Sequence, residues 1–198
     1  LVEFGAGSAH KTPALIEAIK PARYVPIDVS GDYLRESSVE LAQIFPNLEI
    51  EPVEADFNRA VPLPHCSRRL PVVGFFAGST IGNLTPREAT DLLRRMGETL
   101  GDDALLLIGM DRVKPLNVLI PAYDDAKGVT AQFNLNLLHR INRELGCAIP
   151  VDAFAHEARW NEVRTRIEMH LVARRSVEFR VGEEWIAVAK GASIHTEN

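Results

Sequence analysis

The sequence predicts an α/β fold in which a doubly wound parallel sheet is followed by a smaller α+β lobe. Three observations carry this. Short apolar runs alternate with segments of helical period over residues 1–114. The first run breaks at Gly5 and Gly7, and the second closes on an acidic residue, Asp28. From Phe154 onward the apolar period drops to two, as in half-exposed antiparallel strands.

Residues 1–4 form the first predicted strand. Lys11-Thr12-Pro13 then opens a helix with Leu15, Ile16 and Ile19 on its apolar face. Glycines at the carboxyl end of a strand let a ligand lie against the backbone, and the next helix offers free N–H groups at its start. A Gly-x-Gly in this place also serves as a plain tight turn; Asp28 favours a ligand. It stands 21 residues after Gly7, at the end of the second strand (24–29), where a carboxylate can accept hydrogen bonds from a ribose diol. Together these predict a nucleoside cofactor.

Residues 31–44 read as a helix with Leu34, Val39, Leu41, Ala42 and Ile44 as buried candidates and Pro46 as its stop. A third strand, 48–53, leads to Ala55-Asp56-Phe57. At the crevice edge of such a sheet, Asp56 can meet an adenine amino group and Phe57 can pack on the base; an Asp capping a loop beside a core Phe fits equally well. Residues 58–70 form a loop with a basic pair, Arg68-Arg69. The apolar run 70–77 predicts a strand buried on both faces, emptying into the polar loop Gly78-Ser-Thr-Ile-Gly-Asn83. Thr85-Pro-Arg-Glu88 then opens a helix with an N-cap, a proline at its first position and a glutamate three residues after the cap. Residues 104–110 supply a fifth buried strand.

Beyond Pro115 the pattern changes. Residues 116–123 predict a short apolar helix. Residues 128–145 predict a longer one with Val129, Phe133, Leu137, Leu138, Ile141 and Leu145 in one stripe. Ala122-Tyr-Asp-Asp125 lies between them. Ile167, Met169, Leu171 and Ala173 alternate with Arg166, Glu168, His170 and Val172, and Val177, Phe179 and Val181 repeat the alternation up to Gly182. The expected division is a cofactor domain over 1–114 and a separate lobe over 115–198.

Composition narrows the function classes. An apolar fraction of 46% and a charged fraction of 25% are those of an ordinary globular protein. A net charge of −5 without a basic block argues against nucleic acid or an anionic membrane as partner. The sequence shows no membrane-length apolar run and no signal peptide, so a cytoplasmic location is expected. Cys66 and Cys147 have no metal-ligand spacing and read as scattered thiols. The six histidines are also scattered, and His139 and His170 are placed on polar faces with solvated or structural roles, so no metal is expected. The sequence begins inside a strand without Met and stops without a cap, which reads as an internal fragment.

Several motifs extend this reading: Glu3-Phe-Gly-x-Gly-x-x-x-Lys11-Thr12, Tyr24-Val-Pro-Ile-Asp28-Val, Gly78-Ser-Thr-Ile-Gly-Asn83, Ala122-Tyr-Asp-Asp125, Gly128-Val-Thr-Ala-x-Phe-Asn-Leu-Asn136 and Ile194-His-Thr-Glu197-Asn198. In these the chain resembles the histidine Nα-methyltransferases of ergothioneine biosynthesis. The first two motifs occur in many methyltransferases; the last four are specific. The resemblance implies a doubly wound Rossmann-like methyltransferase sheet with a smaller α+β substrate-binding lobe, and S-adenosylmethionine as co-substrate. It places Gly5, Lys11, Asp28, Asp56 and Phe57 at the co-substrate, Asn83 and Tyr123 at the carboxylate of L-histidine, and Glu197 at its imidazole. The expected product is the trimethylated betaine hercynine. No general base is assigned, and a monomer is expected.

The family's chain starts upstream with further substrate-contacting tyrosines, and continues past Asn198 to a serine near the imidazole and the sheet's final strands. The sequence alone is therefore expected to be poorly stable or inactive. Two other readings remain open: a methyltransferase for another amino acid such as tryptophan, and a non-catalytic cofactor-binding module. Glu197 favours imidazole, because a carboxylate accepts a ring N–H.

Overall fold

Strand β1 (Val2–Phe4), the centre of the first sheet, has three buried residues and pairs in parallel with β2 (Arg23–Asp28) and β5 (Val73–Phe76). The structure is a computed structural model describing residues 1–7, 11–64 and 70–198. His10, His65, Cys66 and the Arg68-Arg69 pair lie outside the described residues. The chain divides into two compact units, Leu1–Asp111 and Arg112–Asn198.

In the first unit, α1 (Thr12–Ile19) and α2 (Gly31–Ile44) precede two short strands, β3 (Glu49–Ile50) and β4 (Val53–Glu54). Helix α3 (Pro86–Leu100) joins β5 to β6 (Leu105–Ile108). The sheet is parallel, in the order β3-β2-β1-β5-β6, with β4 also on β2. The order reverses between β1 and β5, which opens a crevice at their carboxyl ends. The expected third strand is split at Pro52, which has no N–H. Glu51 N to Tyr24 O and Ala55 N to Asp28 O, both 3.0 Å, carry the register to the end of β2.

Apolar clusters pack on both faces of the sheet at β2. Val25 and Ile27 join Phe4, Phe76 and the α3 residues Leu92, Met96 and Leu100, while Tyr24 points the other way to Ile16 of α1 and Leu41 of α2. Each such buried aliphatic or aromatic side chain contributes about 1.5–3 kcal/mol. The expected start of α3 is present as a full capping box between Thr85 and Glu88.

Two burial expectations are corrected. In α2, Val39, Ala42 and Ile44 are exposed, while Ser37 and Ser38 are buried with their hydroxyls on Leu34 O at 3.2 and 2.7 Å. That bond to the preceding turn lets serine occupy an apolar stripe. Strands β5 and β6 are less buried than expected. Val73 and Phe75 are only half-buried, and Leu105 is 69% exposed on β6, which pairs only with β5 among the described residues.

The second unit begins with α4 (Leu116–Tyr123) and α5 (Val129–Leu145), followed by β7 (Phe154–Asn161), β8 (Arg166–Ala173), β9 (Val177–Val181), β10 (Glu184–Val188) and β11 (Ser193–Glu197). β8 is central in the antiparallel sheet β11-β8-β7, and β9 and β10 form a hairpin across Gly182. The predicted alternation on β8 holds: Ile167, Met169, Leu171 and Ala173 are buried. Leu171 and Ala173 pack with Phe154, Phe179 and Leu138 of α5. The α5 stripe is corrected, because Val129, Phe133, Leu137 and Leu145 are exposed and the buried positions are Asn134 and Leu138. Among the described residues no helix is long and apolar enough to cross a membrane.

Candidate active site

The turn after β1 is fastened to the end of β2 by three backbone N–H groups, and a fourth, from Ser30 just after β2, holds the other oxygen of the Asp28 carboxylate. Gly5 and Ala6 donate to Ile27 O at 2.9 and 3.2 Å, Gly7 donates to Asp28 Oδ2 at 3.0 Å, and Ser30 donates to Asp28 Oδ1 at 3.0 Å. Gly5 and Gly7 have φ of +70° and +50°, a region that favours glycine. A Cβ on Gly5 would stand 3.5 Å from the Phe57 ring. That ring is edge-on to Phe4 and Phe76, with centroids 6.3 and 5.9 Å away, so it sits at the switch point. Three of the expected residues, Gly5, Asp28 and Phe57, are thus brought together.

The other expected residues of this unit lie on the loops that follow its strands. Lys11 is exposed at the N-cap of α1. Asp56 is exposed, and its Oδ1 accepts Asn58 N and Nδ2 at 2.9 and 2.8 Å, bonds that hold its carboxyl below the usual range. Asn83 is exposed at the end of a 3₁₀ turn, Thr80–Asn83, that leaves the carboxyl end of β5. Ser79 Oγ, just before that turn, accepts Asp111 N at 2.9 Å and ties the loop after β5 to the loop after β6.

Beneath the glycine turn lies a buried network. Glu3 Oε2 accepts Thr12 Oγ1 at 2.8 Å and Tyr24 OH at 2.6 Å. Burial raises the Glu3 pKa against the effect of these two donors, and raises that of Tyr24 further still. The network joins β1, α1 and β2, so it sets where α1 starts relative to the turn. Glu3 and Thr12 belong to one motif and Tyr24 to the next, and spacing alone does not reveal that Tyr24 closes the network.

In the second unit, Tyr123 is the last residue of α4, and its carbonyl accepts His156 Nε2 at 2.6 Å. Asp125 caps α5, accepting Thr130 N at 2.8 Å and Val129 N at 3.1 Å, which lowers its pKa to about 2. Glu197 owes its position to a β-bulge. His195 pairs with His170, but the register then shifts so that Glu197 pairs with Met169. Pairing with Met169 places Glu197 on the sheet face that carries Leu171 and His156, the face packed against α5.

The opposite face holds a group that the sequence did not reveal. Glu168, His170 and His195 offer ligand atoms within 4.8 Å of one another, and the two imidazoles stack with centroids 5.0 Å apart. His170 is buried rather than solvated, and that burial lowers its pKa. Burial opposes the charge on Glu168, but hydrogen bonds from Arg166 and Asn161 outweigh it and hold its pKa at about 2. A cation here would compete with Arg166 for that carboxylate. The missed signal was cross-strand pairing between two distant histidines.

The profile of a family described as "Histidine-specific methyltransferase, SAM-dependent" matches residues 1–198. The chain belongs to that family. It is 44% identical over 186 residues to the "Histidine N-alpha-methyltransferase" of Mycolicibacterium smegmatis, covering 91% of this chain and 57% of the relative. Identity to the protein of the same name from Mycobacterium tuberculosis is 42% over 187 residues, covering 92% and 57%. A more distant relative, "Ergothioneine biosynthesis protein 1" of Schizosaccharomyces pombe, is 24% identical over 155 residues, covering 74% and 20%. The chain thus spans little more than half the length of its mycobacterial relatives. For this family's co-substrate the glycine turn, Asp28 and Phe57 are a fitting set: a backbone of low steric bulk, a diol acceptor and a ring at one switch point.

Proposed function

We propose that the protein transfers methyl groups from S-adenosylmethionine to the α-amino group of L-histidine, three in succession, to give hercynine. The observation that carries this reading is the unbroken match of residues 1–198 to the histidine-specific family, with 44% identity to a protein named for that activity. In this reading Gly5, Lys11, Asp28, Asp56 and Phe57 hold the co-substrate in the first unit. Asn83 and Tyr123 hold the amino-acid carboxylate, and Glu197 accepts an imidazole N–H. The protein works in the cytoplasm as a monomer, without a metal.

The co-substrate supplies a methyl group activated on a sulfonium. The amine lone pair forms the N–C bond as the C–S bond breaks, leaving a thioether; after the first and second transfers the new ammonium loses a proton to water, and the third leaves a quaternary ammonium with no proton to lose. The displacement needs the neutral amine about 3 Å from the methyl carbon, in line with the leaving sulfur, so positioning supplies much of the catalysis. Fixing carboxylate and ring at opposite ends leaves the amino group free to turn and present its next lone pair.

The test is calorimetric titration of L-histidine into the intact protein with S-adenosylhomocysteine present, beside Glu197→Ala. Histidine binding that is lost in the variant supports the reading. Heat with tryptophan but not histidine would move the substrate. No heat with any amino acid or with S-adenosylhomocysteine would leave a module without this activity.

A further inference from the structure

The Ala122-Tyr-Asp-Asp125 turn is held from both sides. Asp125 is fixed by the first backbone N–H groups of α5, and the Tyr123 carbonyl by the His156 ring on β7. That carbonyl lies at the C-terminus of α4, where helical carbonyls lack intrahelical partners. Pro121, inside α4, removes one more backbone donor from the same short helix. His156 therefore braces a helix end that its own backbone holds poorly.

The state of the His156 ring follows from its neighbours. Asn134 is 3% exposed and donates from Nδ2 to the carbonyl of His170 at 3.3 Å. A carbonyl only accepts, so Nδ2 is the amide's donor end at that position. The same Nδ2 lies 2.9 Å from His156 Nδ1, which must then accept. The remaining ring nitrogen, Nε2, meets the Tyr123 carbonyl at 2.6 Å and must donate. A backbone carbonyl at each end thus sets the direction of the hydrogen bonds through Asn134 and His156. Only the neutral Nε2–H tautomer satisfies all of them.

We propose that His156, held in its Nε2–H tautomer by Asn134, is a positioning residue that fixes Tyr123 for its contact with the amino-acid substrate. The inference rests on the reading of Tyr123 as a substrate-binding residue. It adds that the placement of Tyr123 is set by a ring on another element, and that Asn134, buried with Leu138 on α5, is there to orient that ring. His156 itself does not touch the substrate.

The experiment compares His156→Leu, His156→Gln and Tyr123→Phe in the intact protein, with KM and kcat measured for both substrates. His156→Leu is expected to raise KM for L-histidine about tenfold, the scale of one lost hydrogen bond, with KM for S-adenosylmethionine within about twofold. His156→Gln, whose amide can donate to the same carbonyl, is expected to recover most of the loss. In the double variant with Tyr123→Phe the effects should be less than additive.

An unchanged KM in His156→Leu, where Tyr123→Phe raises it, would overturn the inference and leave the reading of Tyr123 standing. A Tyr123→Phe enzyme with unchanged KM would overturn both. Should His156→Leu fail to fold, the ¹⁵N-resolved imidazole spectrum of the unmodified protein decides: a proton on Nε2 with bare Nδ1 supports the inference, and a proton on Nδ1 refutes it.

Discussion

The backbone N–H of Gly7 donates to Asp28 Oδ2 at 3.0 Å, joining the loop after β1 to the carboxyl end of β2. Asp28 therefore shapes the glycine turn as well as offering lone pairs beyond it. Asp28→Ala is expected to weaken S-adenosylhomocysteine binding about 10–100-fold, the range of a lost charged hydrogen bond. Asp28→Asn should fall between, because its NH₂ would face one of the two N–H donors. Calorimetry measures both, and unaltered affinity in Asp28→Ala would remove this residue from the site.

Gly5→Ala tests the turn itself. An L-residue at φ +70° is strained by about 1–2 kcal/mol, and the added methyl would stand against the Phe57 ring. A lower melting temperature together with weaker S-adenosylhomocysteine binding is expected. Loss of stability with binding intact would mean the turn serves the fold alone.

The Glu3 network predicts a dependence on pH. Burial raises the folded pKa of Glu3, so the native protein keeps this proton to a higher pH than the unfolded chain. That contribution is complete below the ordinary carboxylate value and is lost as pH rises through the raised folded value. The stability of the protein relative to Glu3→Gln should therefore fall as pH is raised above 4.5. Denaturant melts of both proteins across that window provide the check. Tyr24→Phe, which removes the 2.6 Å donor, is expected to cost about 1–2 kcal/mol at neutral pH.

Asp125 has the opposite sign. The α5 backbone donors lower its pKa to about 2, so its contribution is present above the ordinary carboxylate range and lost as pH falls toward that value. Asp125→Ala should lower the melting temperature at pH 7, and the gap to the parent protein should close on acidification. A gap that does not change with pH would mean the capping carboxylate is replaceable.

Much of this architecture could be read from local pattern. The span of α2, the capping box of α3 and the β8 alternation each depend on neighbours within a few residues. What escaped depends on contacts distant in sequence. The α5 stripe misled because Val129, Phe133 and Leu137 repeat every fourth residue, while the buried position beside them belongs to Asn134, whose partners are on β7 and β8. The burial of His170 likewise required its neighbour on β11, and Leu105 is exposed with Leu107 on the face of β6 opposite the packed Leu106 and Ile108.

The irregularity between His195 and Glu197 gives one short strand two destinations. Unbroken alternation would set Glu197 against Glu168, two carboxylates side by side on the face that already holds both stacked imidazoles. The shifted register separates them and points Glu197 at the helices instead. In this strand, then, a change in length would redirect the acidic group more completely than a change of side chain. The proposed role of Glu197 predicts that shifts of ring preference across related proteins accompany insertions and deletions around Thr196.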